Sequence, residues 1–126
     1  MGQARVLLAV ALGGAVGALG RYAATLVIPT ATASFAWTVL LVNVIGCALL
    51  GVLTGLLATE RVRHPLARPF LGVGVLGGFT TFSTFALDAH ALADSGDLLG
   101  ALAYVGLTVV ACLAAALVGV RSVAQR

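Results

Sequence analysis

The sequence predicts an all-α integral membrane protein of four transmembrane helices, the third of them broken mid-membrane. Three observations lead there. Of 126 residues, 61% are apolar and only 9% are charged, against roughly 45–50% and about 25% in an ordinary soluble domain. Mean hydropathy is +1.15. The apolar residues gather in four runs, each close to the ~20 residues a helix needs to cross a bilayer. A soluble domain of this size has too much surface for so few charges. The composition excludes a soluble globular domain, a disordered tail and a disulfide-stapled secreted module.

The first run covers about 6–28 and is interrupted only by Arg21. Arg5 resembles the basic start of a signal peptide. The stretch is too long and Gly-rich for one, and it offers no convincing cleavage site, so it is read as a span. Pro29 to Ser34 form a turn-like linker. The second run covers about 35–59. Glu60 to Pro69 are the only clearly hydrophilic stretch. The third run covers about 70–93, and Asp94-Ser95-Gly96-Asp97 make a turn. The fourth covers about 98–120, followed by a short basic tail. Residues 1–126 form one four-span unit with no internal repeat.

The formal net charge is +3, and every basic residue is Arg. Nucleic-acid binding needs clustered basic residues. These are scattered near the ends of apolar runs, so no nucleic-acid partner is expected. Arg5, Arg61, Arg63, Arg68, Arg121 and Arg126 all fall on one side of a four-span hairpin array. Basic loops stay in the cytoplasm, which predicts both termini and the Arg-rich loop there. Cys47 and Cys112 are read as small packing residues, because two separate Cys without Cys or His neighbours make a poor metal signature.

Several intramembrane residues carry chemistry. Gly13 and Gly17, and likewise Gly51 and Gly55, are spaced four apart, which lets helix backbones approach closely in lipid. They are read as packing residues, with an oligomer interface implied. Arg21 is costly in hydrocarbon unless it snorkels or pairs, and it reads as a structural anchor at the interface. Asn43 lies mid-way along the second run. Its amide needs partners in lipid: either an interhelical hydrogen bond or a pore-facing contact with an anion.

The third run contains Gly77-Gly78-Phe79-Thr80-Thr81-Phe82-Ser83-Thr84-Phe85. Glycines, threonines and a serine in succession make poor helix interior. A backbone break is tolerated at membrane depth only where protein buries it. An unwound stretch is expected, with carbonyls free for a hard cation such as Na⁺. The three Phe recur every three residues, and an aromatic ring has a positive edge that can meet an anion. Tyr104, Thr108 and Cys112 are spaced i, i+4, i+8 and share one face of the fourth helix. They serve either helix–helix hydrogen bonds or a row of donors along a narrow path. Asp88 follows the break as the one acid expected at depth, either a functional group or an exposed interface residue. His90 has no obvious partner and is given no role.

No nucleophile with its base, metal cluster or cofactor motif is present, so no enzyme is expected. Gly13-Gly14, Gly17-Ala18, Arg21-Tyr22, Val42-Asn43, Gly46 and the Gly77–Phe85 motif together closely resemble the bacterial Fluc/CrcB fluoride channel family, along the whole chain. The resemblance implies an antiparallel dimer in the bacterial plasma membrane, with fluoride passing through pores at the dimer interface and so relieving fluoride toxicity. It implies a structural, non-transported Na⁺ on the backbone carbonyls of Gly77 and Thr80. Asn43, Phe82, Ser83, Thr84, Phe85, Tyr104, Thr108 and Cys112 would line the fluoride path, and Asp88 a vestibule.

Three positions depart from the family pattern. Thr38-Val39-Leu40 stands where Gly-Thr-Leu is common. Asp88 replaces an expected Glu, and Cys112 a hydroxyl residue. The Arg bias raises a further expectation: the chain inserts one way and pairs with an oppositely oriented paralogue, the alternative being a homodimer of dual-inserted copies. Two other readings compete with this one. A small proton-coupled multidrug exporter is disfavoured because the first span has no acid, and a non-conducting assembly subunit would show no flux.

Overall fold

The structure, a computed structural model, describes residues 2–28 and 36–124, and every regular element in them is helical. The expected linker at Pro29–Ser34, the start of the second span at Phe35, and Arg126 lie outside the described residues. The helices are α1 (Gln3–Val27), α2 (Trp37–Ala58), α3 (Arg68–Leu76, continued by the single turn Gly77–Phe79), α4 (Phe82–Asp94) and α5 (Leu98–Ala124). α1, α2, the bent α3–α4 pair and α5 are each long and apolar enough to cross a membrane. The chain is a multi-pass membrane protein.

Several boundaries differ from the expected ones: α1 starts at Gln3 rather than near residue 6, and two other shifts have a clear physical reason. The third span starts at Arg68 rather than near Phe70, because Pro69 sits in the first turn of α3. A helix tolerates proline there, since that N–H has no intrahelical partner anyway. α5 runs past residue 120 to Ala124, placing Arg121 in its last turn, where a cation meets the negative end of the helix dipole.

Few side chains are buried. In α1 only Ala9, Gly13 and Gly17 are, while Leu7, Leu12, Leu19 and Leu26 point outward. In lipid, outward leucines cost nothing, and helices associate by close packing instead. Glycines provide that packing at two seams. A Cβ on Gly17 would strike the Val75 carbonyl oxygen and come within 2.8 Å of the Phe79 nitrogen. A Cβ on Gly74 would lie 2.8 Å from the Gly13 Cα. These contacts join α1 to α3. Between α2 and α5, Gly51 faces the Ala116 carbonyl and Gly119 faces that of Ala48.

The two seams make two helix pairs, and the third span connects them. Its first half, α3, packs on α1, and its second half, α4, packs on α5. The chain crosses from one pair to the other between Phe79 and Phe82. α3 is also wound wide: the Gly77 N–H donates to the Gly72 carbonyl, five residues back. Such widened turns concentrate at functional sites.

Candidate functional site

At the crossover Thr80 (φ −75°, ψ 158°) and Thr81 (φ −144°, ψ 124°) are extended. Both backbone groups of Thr81 and the carbonyl of Thr80 find side-chain partners. The Asn43 Nδ2 donates to the Thr81 carbonyl at 3.0 Å, and the Thr81 N–H donates to Asn43 Oδ1 at 2.8 Å. Asn43 therefore makes the interhelical bond, with one amide N–H to spare. The Thr81 hydroxyl caps α4 by accepting from the Thr84 N–H at 3.2 Å, and it donates to the Thr84 hydroxyl at 3.0 Å. Ser83 Oγ lies 3.4 Å from Thr81 Oγ1.

Arg21 belongs to the same knot. Its Nη1 donates to the Thr80 carbonyl at 3.2 Å. The expected interface anchor is thus a tertiary contact on the break, because an arginine within a span gains more from a freed carbonyl than from snorkelling alone. Gly17, one turn earlier, brings α1 against the end of α3. Gly46 does the same for α2, since a Cβ there would strike Thr80 Cγ2.

Beside the break lies a groove of about 400 Å³, lined by Asn43, Gly77, Thr80, Phe82, Phe85, Thr108 and Cys112 among others. Phe82 is 80% exposed on its rim. Phe85 stands behind it, with ring centres 5.7 Å apart. Tyr104 follows at 5.4 Å from Phe85. Phe79 does not join this ladder. It packs between Gly20 and Gly46, at 3.6 and 3.5 Å from where their Cβ atoms would be.

The track on α5 divides. Tyr104 is wholly buried, and its hydroxyl donates to Asp88 Oδ2 at 3.4 Å. Asp88 is half-buried by that contact, and neither residue lines the groove. Thr108 and Cys112 do line it. The Thr108 hydroxyl is buried and has no hydrogen-bond partner among the described residues. Ser83 and Thr84 are exposed, and Thr84 faces a second cavity of about 310 Å³ shared with Arg21, Thr38 and Thr81. Further out, His90 Nε2 sits 3.3 Å from Asp94 Oδ2. His90 therefore has a partner one turn along the exposed end of α4.

Two residues of this site were not singled out from the sequence. Thr81 is the pivot of the break, and its signal was present: a Thr just before the resumed helix is a preferred N-cap. Cys47 lines the groove with Cys112, from the two helices that the Gly51 and Gly119 contacts bring together.

Residues 8–120 match the family described as CrcB-like protein, Camphor Resistance (CrcB).

The chain belongs to the CrcB family.

Among CrcB-family relatives, a protein of Streptomyces avermitilis named fluoride-specific ion channel FluC 2 is 52% identical over 85% of this chain and 68% of its own length. One of Streptomyces coelicolor, named fluoride-specific ion channel FluC 1, is 50% identical over 90% and 73% respectively. One of Paracoccus denitrificans, named fluoride-specific ion channel FluC, is 46% identical over 89% of both chains.

In this CrcB-family chain the oxygens suited to a hard cation are backbone carbonyls at the break. In an unbroken helix the Thr81 N–H would bond the Gly77 carbonyl. Here it goes to Asn43, so the Gly77 carbonyl is released beside the groove. The Thr80 carbonyl carries Arg21 on one lone pair and keeps a second. One chain therefore offers two such oxygens. The donor set fits Na⁺ chemistry if a second chain completes it, because hard cations take several oxygen ligands.

Proposed function

We propose that this CrcB-family chain is a subunit of a fluoride-specific ion channel that lets fluoride leave the cytoplasm passively and so lowers its toxicity. The observation that carries the reading is the Thr108 hydroxyl. It is a buried donor with no partner among the described residues, on a residue that lines the groove together with Asn43, Phe82 and Phe85. An unsatisfied buried hydroxyl costs about 1–3 kcal/mol, and a turn of the side chain toward an ion or water in the groove would remove that cost. The names of the relatives support fluoride as the ion.

The chemistry suits a small, tightly hydrated anion. Stripping its water demands substitute donors along the path. The Asn43 amide and Thr108 hydroxyl are neutral donors, and phenyl edges at Phe82 and Phe85 add partial positive charge. Fixed cations would hold the ion too tightly to release it, and Arg21 is engaged at Thr80 instead. Tyr104 acts through Phe85, whose ring it backs, while Asp88 orients the Tyr104 hydroxyl.

A single chain leaves Phe82 80% exposed. The proposed channel is therefore a dimer, its second subunit lying antiparallel and covering the groove. A Na⁺ held by the Gly77 and Thr80 carbonyls of both subunits would fasten the two breaks together and raise the local potential for an anion. A fluoride electrode on proteoliposomes tests the proposal, with chloride as the control ion. Fluoride release without chloride release is expected. No release, or equal release of both halides, overturns it.

A further inference from the structure

Between α1 and the start of α3, at the Arg-rich end of the molecule, lies a recess of about 570 Å³. That is within the roughly 300–1,000 Å³ of ordinary ligand pockets. Ala9 and Ala67 are buried there, and side chains this small leave space where larger ones would fill it. Along α1, Arg5, Leu8, Ala9 and Leu12 line it at i, i+3, i+4 and i+7, one stripe of the helix. Leu71 of α3 extends the apolar wall, and Leu8, Leu12 and Leu71 are all exposed in the chain. The polar groups gather at one end. Arg5 is in the first turn of α1, and His64 sits just before α3, in a turn closed by the Ala67 N–H donating to the His64 carbonyl at 2.9 Å. The recess shares no lining residue with the groove beside the break.

We propose that this recess binds one anionic phospholipid from the headgroup layer at the Arg-rich end, its phosphate taken by Arg5 and His64 and an acyl chain lying along Leu8, Leu12 and Leu71. The shape of the site matches that of the molecule: cationic at the end of a span, apolar along it. Basic pockets between transmembrane helices hold lipid head groups in this way. The Arg5 guanidinium makes no ion pair or hydrogen bond among the described residues, so its planar fork of donors is available to a phosphate. His64 Nδ1 accepts from the Leu66 N–H at 3.2 Å. The neutral ring then carries its proton on Nε2, which leaves that N–H as a second donor.

The charge of the head group follows from the acids. No carboxylate lines the recess. Of the four acids in the chain, only Glu60 lies toward this end, and Arg63 engages it at 3.4 Å. The ammonium of a zwitterionic head group therefore finds no partner, whereas the phosphate of an anionic one finds two donors. A bound lipid would bridge α1 to the segment between α2 and α3. Because it binds only the folded chain, it raises the melting temperature. None of this depends on what the groove conducts.

The test uses the purified full chain in neutral detergent. Dioleoyl phosphatidylglycerol is the anionic probe, and dioleoyl phosphatidylcholine, with the same acyl chains, is the zwitterionic control. Retained lipid is counted by native mass spectrometry, and melting temperature is read on the same samples. Wild type is expected to retain one phosphatidylglycerol per chain and to melt higher with it, and to bind phosphatidylcholine more weakly. Arg5→Gln and His64→Gln should each bind phosphatidylglycerol about tenfold more weakly, the factor predicted by losing a hydrogen bond to a charged group. Both side chains are exposed, so the lipid-free variants should melt with wild type. Arg121→Gln removes the same charge from the same end but lines no part of the recess, and it should bind as wild type does. Equal retention of the two lipids overturns the proposal. So does an equal loss in Arg121→Gln and Arg5→Gln, which would show attraction to overall charge. An equal rise in melting temperature with inorganic phosphate alone would also overturn it, since the apolar wall would then contribute nothing.

Discussion

Asn43 holds both backbone polar groups of Thr81, accepting from its N–H at 2.8 Å and donating to its carbonyl at 3.0 Å. One side chain on α2 thus takes the N–H that the third span leaves without a helix partner, and adds a bond to the N-cap carbonyl that opens α4. Asn43→Ala leaves the buried Thr81 N–H unpaired. The orphaned donor costs about 1–3 kcal/mol and the second bond contributes about 1 kcal/mol, so a loss of about 2–4 kcal/mol is expected. Thermal unfolding in detergent measures it. A variant as stable as wild type would mean that the amide is not what keeps the break open.

Thr108→Val makes the opposite prediction. Its hydroxyl has no partner among the described residues, so removing it deletes no hydrogen bond among them, and stability should hold or rise slightly. Flux should fall. A hydrogen bond to a charged group contributes about 1.5–3 kcal/mol, which corresponds to about a ten- to hundredfold change. Fluoride release and melting temperature, measured on the same sample, separate the outcomes. Lost stability with unchanged release would make Thr108 a structural residue.

The four spans were legible because lipid leaves the backbone few options: a run of that length and composition must be a helix. The break was legible for a similar reason, since glycines and hydroxyl residues crowd into a region where helix formers prevail elsewhere. Partner choice was not legible. Asn43 and Arg21 each announce that they need a partner, yet neither says which helix it faces. That depends on Gly17 and Gly46 bringing α1 and α2 against the end of α3. Tyr104, Thr108 and Cys112 share a face by periodicity, but the bend in the third span splits them. α4 crosses over Tyr104 and takes its hydroxyl to Asp88, leaving Thr108 and Cys112 to the groove.

Phe82→Ile tests the ring-edge contact. Phe82 is 80% exposed in one chain, so the substitution removes almost no packing within the subunit. Ile keeps the bulk and the apolar character but lacks the positive ring edge. If that edge contributes up to about 1.5 kcal/mol, release should fall by roughly tenfold, with the melting temperature of the chain unchanged. Wild-type release from this variant would show that the ring only fills space.

Gly17→Ala probes the α1–α3 seam against a built-in control. The added Cβ meets the Val75 carbonyl oxygen, a backbone atom that cannot rotate away. Overpacking of this kind costs about 1–3 kcal/mol, and the end of α3 should shift with it. Gly106 has nothing within 4 Å of its Cβ position. Gly106→Ala should therefore be neutral, or stabilising by up to about 1 kcal/mol through helix propensity. Equal melting temperatures for the two variants would contradict the close approach at Gly17.

The last prediction concerns insertion. Arg5 lies in the first turn of α1, Arg61 and Arg63 lie between α2 and α3, Arg68 opens α3, and Arg121 lies in the last turn of α5. In an antiparallel four-helix array these positions all share one end. The other end carries Asp94 and Asp97, and Arg21 is tied to the Thr80 carbonyl rather than left to oppose the bias. Basic residues near short loops fix orientation, so this chain should insert with both ends in the cytoplasm. An antiparallel channel would then need an oppositely oriented partner chain with a different sequence. A topology reporter fused to the C-terminus, active on one face only, measures this directly. Single-sided signal is expected. Equal signal on both faces would instead mean that the same chain supplies both subunits.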